Sequence, residues 1–486
     1  MSDKQSTKPP AGTRDFLPDD IRRREYVIGV VRDVYERYAF EPLETPAFEN
    51  IDTLLGKYGD EGNKLIFKIM KRGEHESSGE ADLALRYDLT VPLARVVAQY
   101  QNELPRLFKR YQIQPVWRAD RPARGRFREF YQCDIDAMGS SSPVVEADIL
   151  SAVCEILTTL GFHDFIVRLN HRGVLTGLLE TAGVPAAQHG DWLVALDKRD
   201  KIGDDRVLDD MVARGIDREA ALKGLRLAAE PSLDVHRAAL KGLRDPMSDV
   251  AAPAHQQHQA IEGLKDAGVH LEAIQTIEEI IRISGVTPAA GHIRFDPSLA
   301  RGLSYYTGAI MEVAVEGIGS LGGGGRYDNL IGMFLGREVP ACGFSLGLER
   351  IIVVMSERGM FPPTVTKGGI DVVVTFMDDD SRAEALRLAT ELRATKLRVD
   401  VFPESSRKFD KPLKYASARG ARTMAIFGEN ERTRGEVSIR DLHTREQQAV
   451  ARDQAPALIT RLSNLEPSTE SREPGTVDAP RTDPEP

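Results

Sequence analysis

Residues 116–136, VWRADRPARGRFREFYQCDID, constrain the fold more than any other stretch of the chain. Both ends alternate with the period of two that a strand imposes, and RPARG between them holds the proline and glycine of a turn, so the stretch reads as a hairpin. On its second strand Arg126, Arg128, Phe130, Gln132, Asp134 and Asp136 share one face. Fork-shaped cations, an aromatic plane, an amide and carboxylates on one face could hold a triphosphate, a base and a cationic amino acid together. The alternative is a solvated sheet face laced with ion pairs. The hairpin lies in a basic run, Arg106, Lys109, Arg110, Arg118, Arg121, Arg124, Arg126 and Arg128, with only Asp120 opposing it. The net charge of −10 argues weakly against nucleic-acid binding. Screening beyond ~8–10 Å nevertheless lets a local patch act on its own. Trp117, Phe127 and Phe130, at strand-like spacing, put much of this run in a cleft.

Around the hairpin the periodicity changes several times. Residues 20–39 carry apolar side chains near helical spacing, with Asp19 or Asp20 available to cap them. FEPLETPAFE then reads as extended, because Pro42 and Pro46 disfavour helix. A helix is expected at about 91–101, a strongly amphipathic one at 144–160 ended by Gly161, and a strand at 166–170. Residues 172–285 are rich in Ala, Leu, Lys, Arg and Asp with helical period, and read as a helical insertion. Strand character returns at Ile293 and brackets a glycine-rich turn at 322–325. Residues 360–369 form a Pro/Gly linker, after which strands and helices alternate, implying a small α/β domain with a mostly parallel sheet. With 486 residues and ~100–200 per domain, about three domains fit.

Other features exclude whole classes. No window approaches the ~20 apolar residues of a membrane span. MSDKQSTKPP lacks the apolar run of a secretory signal. Cys133, Cys154 and Cys342 lie far apart with no CxxC pair, which argues against a zinc site or disulfide framework and fits a reducing, cytoplasmic setting.

Arg118, the acid Asp120, a loop, Arg126 and Phe130 resemble motif 2 of class II aminoacyl-tRNA synthetases; FSLGLER, ending at Arg350, resembles motif 3, and the extended piece around Pro46 resembles motif 1. Two further segments narrow this to the histidine member: RGLSYYTG (301–308) is similar to the signature RGLDYYTG, and LRYDLTVPLAR (85–95) with REFYQCDID (128–136) to the amino-acid-pocket segments. GGGGRYDNL (322–330) is similar to AGGRYDGL, and 370–461 resembles the anticodon-binding domain of the histidine, threonine, proline and glycine enzymes. The chain is thus identified as a member of the histidyl-tRNA synthetase family from about Gly12 to Arg461.

The resemblance implies a fold and a division of labour. The fold is α/β: a class II antiparallel sheet flanked by helices, with a helical insertion and a C-terminal α/β anticodon-binding domain. The divisions expected are an arm at 1–12, a catalytic domain at 13–365 containing the insertion at 172–285, the anticodon-binding domain at 370–465, and a disordered tail at 466–486. The implied reaction joins L-histidine to ATP as an adenylate, releasing pyrophosphate, then transfers histidine to tRNA(His). Arg118 and Arg301 are the implied catalytic cations. Arg118, Arg126, Phe130 and Arg350 would bind ATP, with Mg²⁺ bridging the pyrophosphate. Asp136 and Tyr306 would meet the imidazole nitrogens; Asp88, Thr90 and Gln132 the α-ammonium; Tyr305 would line the same pocket, and Arg118 and Arg301 would also touch the amino acid. Arg124 would approach the tRNA acceptor end, and motif 1 implies a homodimer. Arg407, Lys408 and Lys411 are candidate phosphate contacts, with a solvated helix as the alternative. His171 reads as structural. Ser304 replaces the usual Asp, a change that removes a possible brace of the signature loop.

Two other readings share these motifs. The regulatory subunit of ATP phosphoribosyltransferase has the catalytic fold but lacks the anticodon domain and degrades the ATP arginines, whereas Arg118, Arg126, Arg301 and Arg350 are all present here. A sensor of uncharged tRNA would be fused to a kinase, and no kinase glycine loop or HRD segment occurs.

Overall fold

The computed structural model describes residues 6–58, 62–71, 79–229, 261–266, 268–300, 305–315, 319–366, 369–406 and 408–464. The chain divides into two compact units between residues 361 and 362.

In the first unit the strands are β1 (Glu41–Pro42), β2 (Phe48–Asn50), β3 (Lys68–Met70), β4 (Ala81–Leu85), β5 (Phe108–Trp117), β6 (Glu129–Met138), β7 (Phe165–His171), β8 (Ile293–Phe295), β9 (Ala309–Val315), β10 (Gly319–Arg326) and β11 (Ala341–Gly347). Eight of them make one sheet in the order β1-β5-β6-β11-β10-β9-β7-β8. Its interior pairings are antiparallel; only the short edge strands β1 and β8 join in parallel. β2, β4 and β3 form a small antiparallel sheet beside it. The expected hairpin is β5–β6, closed by a loop in which Ala123 and Arg126 bridge and Gly125 takes a positive φ of 67°.

The helix Pro18–Arg37 forms because Val27, Ile28, Val31, Val34 and Tyr35 recur at helical spacing on one buried face. Its first turn is held by Asp20, which accepts from the Leu17 N–H at 3.2 Å. It packs on β6 and on the helices Val144–Thr159 and Leu348–Glu357. Each such apolar side chain buried contributes roughly 1.5–3 kcal/mol. Tyr35 completes the contact by donating to the Cys133 carbonyl at 3.0 Å. This packing covers the sheet on the helix side and leaves the alternate residues of β6 for the opposite face. Val144–Thr159 ends as anticipated, with Gly161 at φ 89°.

After β7 come the helices Arg172–Ala182, His189–Leu196, Arg199–Ile202, Asp204–Ala213 and Arg218–Ala229, gathered around buried Trp192, Val207, Met211 and Leu225. The helix Leu271–Ser284, at the end of the same helical stretch, packs on Val144–Thr159 and β7. Residues 230–260 of the expected insertion lie outside the described residues, as do 466–486. The stretch read as an arm is tied down at its end, where the Gly12 carbonyl accepts from the Arg128 N–H at 2.8 Å.

The second unit holds β12 (Val372–Phe376), β13 (Val399–Val401), β14 (Thr423–Phe427), β15 (Glu436–Asp441) and β16 (Gln447–Ala451), in the order β13-β12-β14-β15-β16. The expectation of a mostly parallel sheet is corrected here. The β13-β12-β14 pairings are parallel, and β14-β15-β16 are antiparallel. Parallel neighbours need a crossover, which the helices Arg382–Ala394 and Asp410–Ala418 provide. The short turn at 442–446 can return β16 only in the opposite sense. Leu388, Leu392 and Ile459 pack on one face of this sheet, and Phe402, Leu413 and Ala416 on the other. Among the described residues no helix is long and apolar enough to cross a membrane.

Candidate functional site

On the face of the large sheet away from the helix Pro18–Arg37 lies a cleft of about 300 Å³. β6 supplies Phe130, Gln132, Asp134 and Asp136, which project in the alternation read from the sequence. Asp88 and Thr90 come from the start of the helix Thr90–Gln99. Tyr305 and Tyr306 come from the segment before β9, and β10 and β11 add Gly322, Gly324, Gly343, Phe344 and Ser345. Arg118 and Arg126 of the hairpin loop and Arg350 at the start of a helix complete the wall. Arg301 and Ser304 fall outside the described residues.

One end of the cleft is cationic. Arg126 is gripped bidentately by Asp120 at 2.8 and 3.1 Å while half its side chain stays exposed. Arg118 donates to the Tyr87 carbonyl at 3.0 Å and lies over the Tyr87 and Phe130 rings, 4.3 and 5.2 Å from their centroids. Arg350 donates to the Ser320 carbonyl. Glu349 also lines the cleft, with Arg24 2.8 Å from one of its oxygens and the Tyr131 N–H 2.9 Å from the other.

The other end is deep and rich in acceptors. Asp136 faces the fully buried Arg110 guanidinium at 2.9 Å and accepts from the Tyr327 hydroxyl. Burial pushes its carboxyl up against the opposing pull of Arg110. Asp134 is pushed up to about 7, by burial first and by the neighbouring Asp136 charge, again against Arg110. Asp88 is also raised by burial; one of its oxygens accepts from the Val91 N–H and the Tyr58 hydroxyl, each at 3.0 Å. Gln132 donates through Nε2 to Ser345 at 2.8 Å. Among the described residues, that leaves Asp88 Oδ2, Gln132 Oε1 and Asp134 Oδ1 buried, in one cleft, with no hydrogen-bond donor. Each such orphan costs roughly 1–3 kcal/mol. A cleft carrying three is complementary to a ligand rich in N–H donors.

Glycine makes room for this arrangement. A Cβ on Gly343 would lie 1.9 Å from Asp136 Oδ1, and one on Gly325 would lie 2.8 Å from the Tyr306 ring. Tyr305 and Tyr306 are buried and meet edge-on at 5.2 Å, and Thr90 lies beside Tyr305.

Several sequence-level assignments divide here. Asp88, Thr90, Arg118, Arg126, Phe130, Gln132, Asp136, Tyr305, Tyr306 and Arg350 all line the cleft. Arg124 does not; it is exposed and paired with Glu357. Arg128 leaves the shared face because it precedes β6 and donates to the Asp120 carbonyl at 3.0 Å. The basic run is not one patch opposed by Asp120 alone: Lys109 pairs with Asp148 at 2.7 Å, Arg110 with Asp136 and Arg124 with Glu357. Sequence spacing could not show acids arriving from other elements. In the second unit Lys408 and Lys411 are exposed, Lys411 lying 3.8 Å from Glu404, and Arg407 is outside the described residues. His171 caps the helix Arg172–Ala182 by accepting from Gly173 N–H at 3.0 Å, and burial lowers it to about 4, as a structural residue requires. The site residues missed were Arg110, Tyr327 and Tyr58. Tyr327 was signalled by its place in GGGGRYDNL; Arg110 was visible only as a member of the basic run.

The chain matches two family models, Histidyl-tRNA synthetase over residues 12–351 and Anticodon binding domain over 371–462. It is 39% identical to the histidine–tRNA ligase of Gloeobacter violaceus, covering 92% of this chain and 97% of that one. It is 37% identical to that of Christiangramia forsetii, covering 90% and 96%. Among solved structures, the histidyl-tRNA synthetase of a Nostoc species superposes with a TM-score of 0.73 at 30% identity, covering 94% of this chain and all of that one. A Bacillus halodurans structure described as an ATP phosphoribosyltransferase regulatory subunit/histidyl-tRNA synthetase shares the fold, with a TM-score of 0.65 at 18% identity over 88% of this chain and 99% of that one.

Proposed function

The chain belongs to the histidyl-tRNA synthetase family, and from that premise we propose how its cleft joins histidine to ATP and then to tRNA(His). It is a ligase that forms an aminoacyl-tRNA. The observation that carries the assignment of the cleft is the pairing of its two ends: orphaned acceptors deep inside, arginines at the mouth.

L-histidine fits the acceptor end. Asp136, fixed by Arg110 and Tyr327, takes one imidazole nitrogen and Tyr306 the other. Asp88, Thr90 and Gln132 surround the α-ammonium, and Tyr305 closes the pocket. An analogue lacking those nitrogens would leave buried partners empty, which gives strong discrimination. ATP fits the mouth: Phe130 stacks on adenine, and Arg126 and Arg350 hold the γ-phosphate region. Arg118, between the two ends, binds the histidine carboxylate and the α-phosphate. Arg301 is assigned to the opposite side of the same phosphate by resemblance.

The attacking carboxylate is ionised at neutral pH, so this step needs no general base. The side chains instead align carboxylate and phosphorus and stabilise charge as pyrophosphate leaves. Mg²⁺ enters as part of the MgATP substrate. Among the described residues no three Asp, Glu, His or Cys side chains cluster as ligands, and the acids nearest the phosphates, Asp120 and Glu349, are held by Arg126 and Arg24. That donor set suits a Mg²⁺ carried by the phosphates. The second unit would bind the tRNA anticodon, Arg124 would approach the acceptor end, two copies would pair through the motif 1 region, and the enzyme would work in the cytoplasm.

Pyrophosphate exchange measured with each of the twenty amino acids tests this. Exchange should depend on histidine alone; exchange with another amino acid, or none at all, would overturn it.

A further inference from the structure

We propose that Asp134 and Ser345 are a positioning pair that fixes which end of the Gln132 amide faces the substrate, turning its carbonyl oxygen to the α-ammonium. This rests on the assignment of Gln132 to that ammonium.

The argument is one of hydrogen-bond bookkeeping. Ser345 stands directly opposite Asp134 in the β6–β11 ladder, so both side chains rise from the same face and its hydroxyl lies beside the Asp134 carboxylate, whose charged form it favours. Gln132 Nε2 lies 2.8 Å from the same hydroxyl oxygen. A carboxylate only accepts, whereas a hydroxyl has one proton to give and lone pairs with which to accept. Ionised Asp134 therefore claims the Ser345 proton, and Ser345 can meet Gln132 only as an acceptor. The amide must present its NH₂ to Ser345, which leaves Oε1 buried in the cleft and, among the described residues, without a donor. An α-ammonium has three donors and no acceptor, so it is attracted to that oxygen and repelled by an NH₂.

If residue 134 could donate, the direction would be lost. A protonated or amide side chain there can give a proton to Ser345, Ser345 can give its own to Gln132, and the amide can turn over. The charged and titratable neighbours of Asp134 are Arg110 on β5, Asp136 and Cys133 on β6, Asp88 ahead of the helix Thr90–Gln99, and Tyr35 on the helix Pro18–Arg37. Burial among them holds the Asp134 carboxyl at about 7, so the direction of the chain changes near neutral pH.

The test titrates the full-length enzyme calorimetrically with L-histidine and with 3-(imidazol-4-yl)propionate, which has the ring and carboxylate but no amine. Gln132→Ala serves as control and should weaken histidine alone. Ser345→Ala and Asp134→Asn should each weaken histidine about tenfold and leave the amine-free ligand within about twofold, as expected for a misdirected charge-assisted bond. Ser345→Thr, which keeps the hydroxyl, should retain affinity. If Gln132→Ala leaves histidine affinity unchanged, the assignment of Gln132 itself is wrong. If that control behaves but Ser345→Ala and Asp134→Asn spare histidine, or weaken both ligands equally, the positioning pair is refuted while the assignment stands. The wild-type enzyme gives an independent readout should a variant fail to fold. With each affinity corrected for the ring titration of that free ligand, followed separately by NMR, its preference for histidine over the amine-free ligand should rise from about pH 6 to about pH 8. A flat ratio overturns the inference.

Discussion

Asp136 is held from two sides by groups remote in sequence, Arg110 on the adjacent strand and Tyr327 after β10. This makes it a fixed acceptor. Asp136→Ala should raise the KM for histidine at least about tenfold with little change in the KM for ATP, because a buried donor on the ligand loses its partner. Equal change in both constants in exchange kinetics would remove Asp136 from the ring. Asp134 makes the opposite contribution to stability. Its folded-state carboxyl sits at about 7, above the usual range near 4 of an unfolded Asp, so the native state binds the proton more tightly. The stability it contributes is present below about pH 4 and is lost as pH rises through about 7. Asp134→Asn, neutral at every pH, should therefore raise the melting temperature relative to wild type at pH 8 and show a smaller gain at pH 5. A pH-independent difference in thermal melts would contradict this. At this scale the residue types and the shared strand face were legible in the sequence. The partners were not, because Arg110 meets Asp136 only through the β5–β6 register.

At the scale of elements, periodicity located the helices Pro18–Arg37 and Val144–Thr159 and the strands β5 to β7, since each buries one face at its own repeat. Strand direction in the second unit was less legible, because alternation looks the same in parallel and antiparallel pairs while the connections decide between them. The glycines of β10 and β11 carry the pocket more directly than any turn. Since a methyl on Gly343 would occupy the space of the Asp136 carboxylate, Gly343→Ala should raise the KM for histidine more than that for ATP, and should cost about 1–3 kcal/mol of stability through overpacking. Unchanged histidine kinetics would mean that the carboxylate can move aside without consequence.

The whole molecule separates into a unit that contains the entire cleft and a unit with its own two-faced core. Activation and tRNA recognition should therefore be separable. A chain ending at Phe361 should keep histidine-dependent pyrophosphate exchange within about an order of magnitude, while its aminoacylation of tRNA(His) falls far more, since base-edge and stacking contacts to the anticodon are lost. Parallel loss of both activities would show that the second unit supports the cleft as well.

Order of elements, the strand face of the hairpin and the family motifs were all determined along the chain itself, because each depends on neighbours a few residues apart. The tertiary structure alone decided which cations enter the cleft and which are spent elsewhere. Arg118, Arg126 and Arg350 converge, while Arg110 is buried beneath Asp136, Lys109 goes to Asp148 and Arg124 turns out to Glu357. The reason is physical: local spacing sets the direction of a side chain, but its charge is settled by whichever acid the sheet order β5-β6-β11-β10 and the packed helices bring within ion-pair distance.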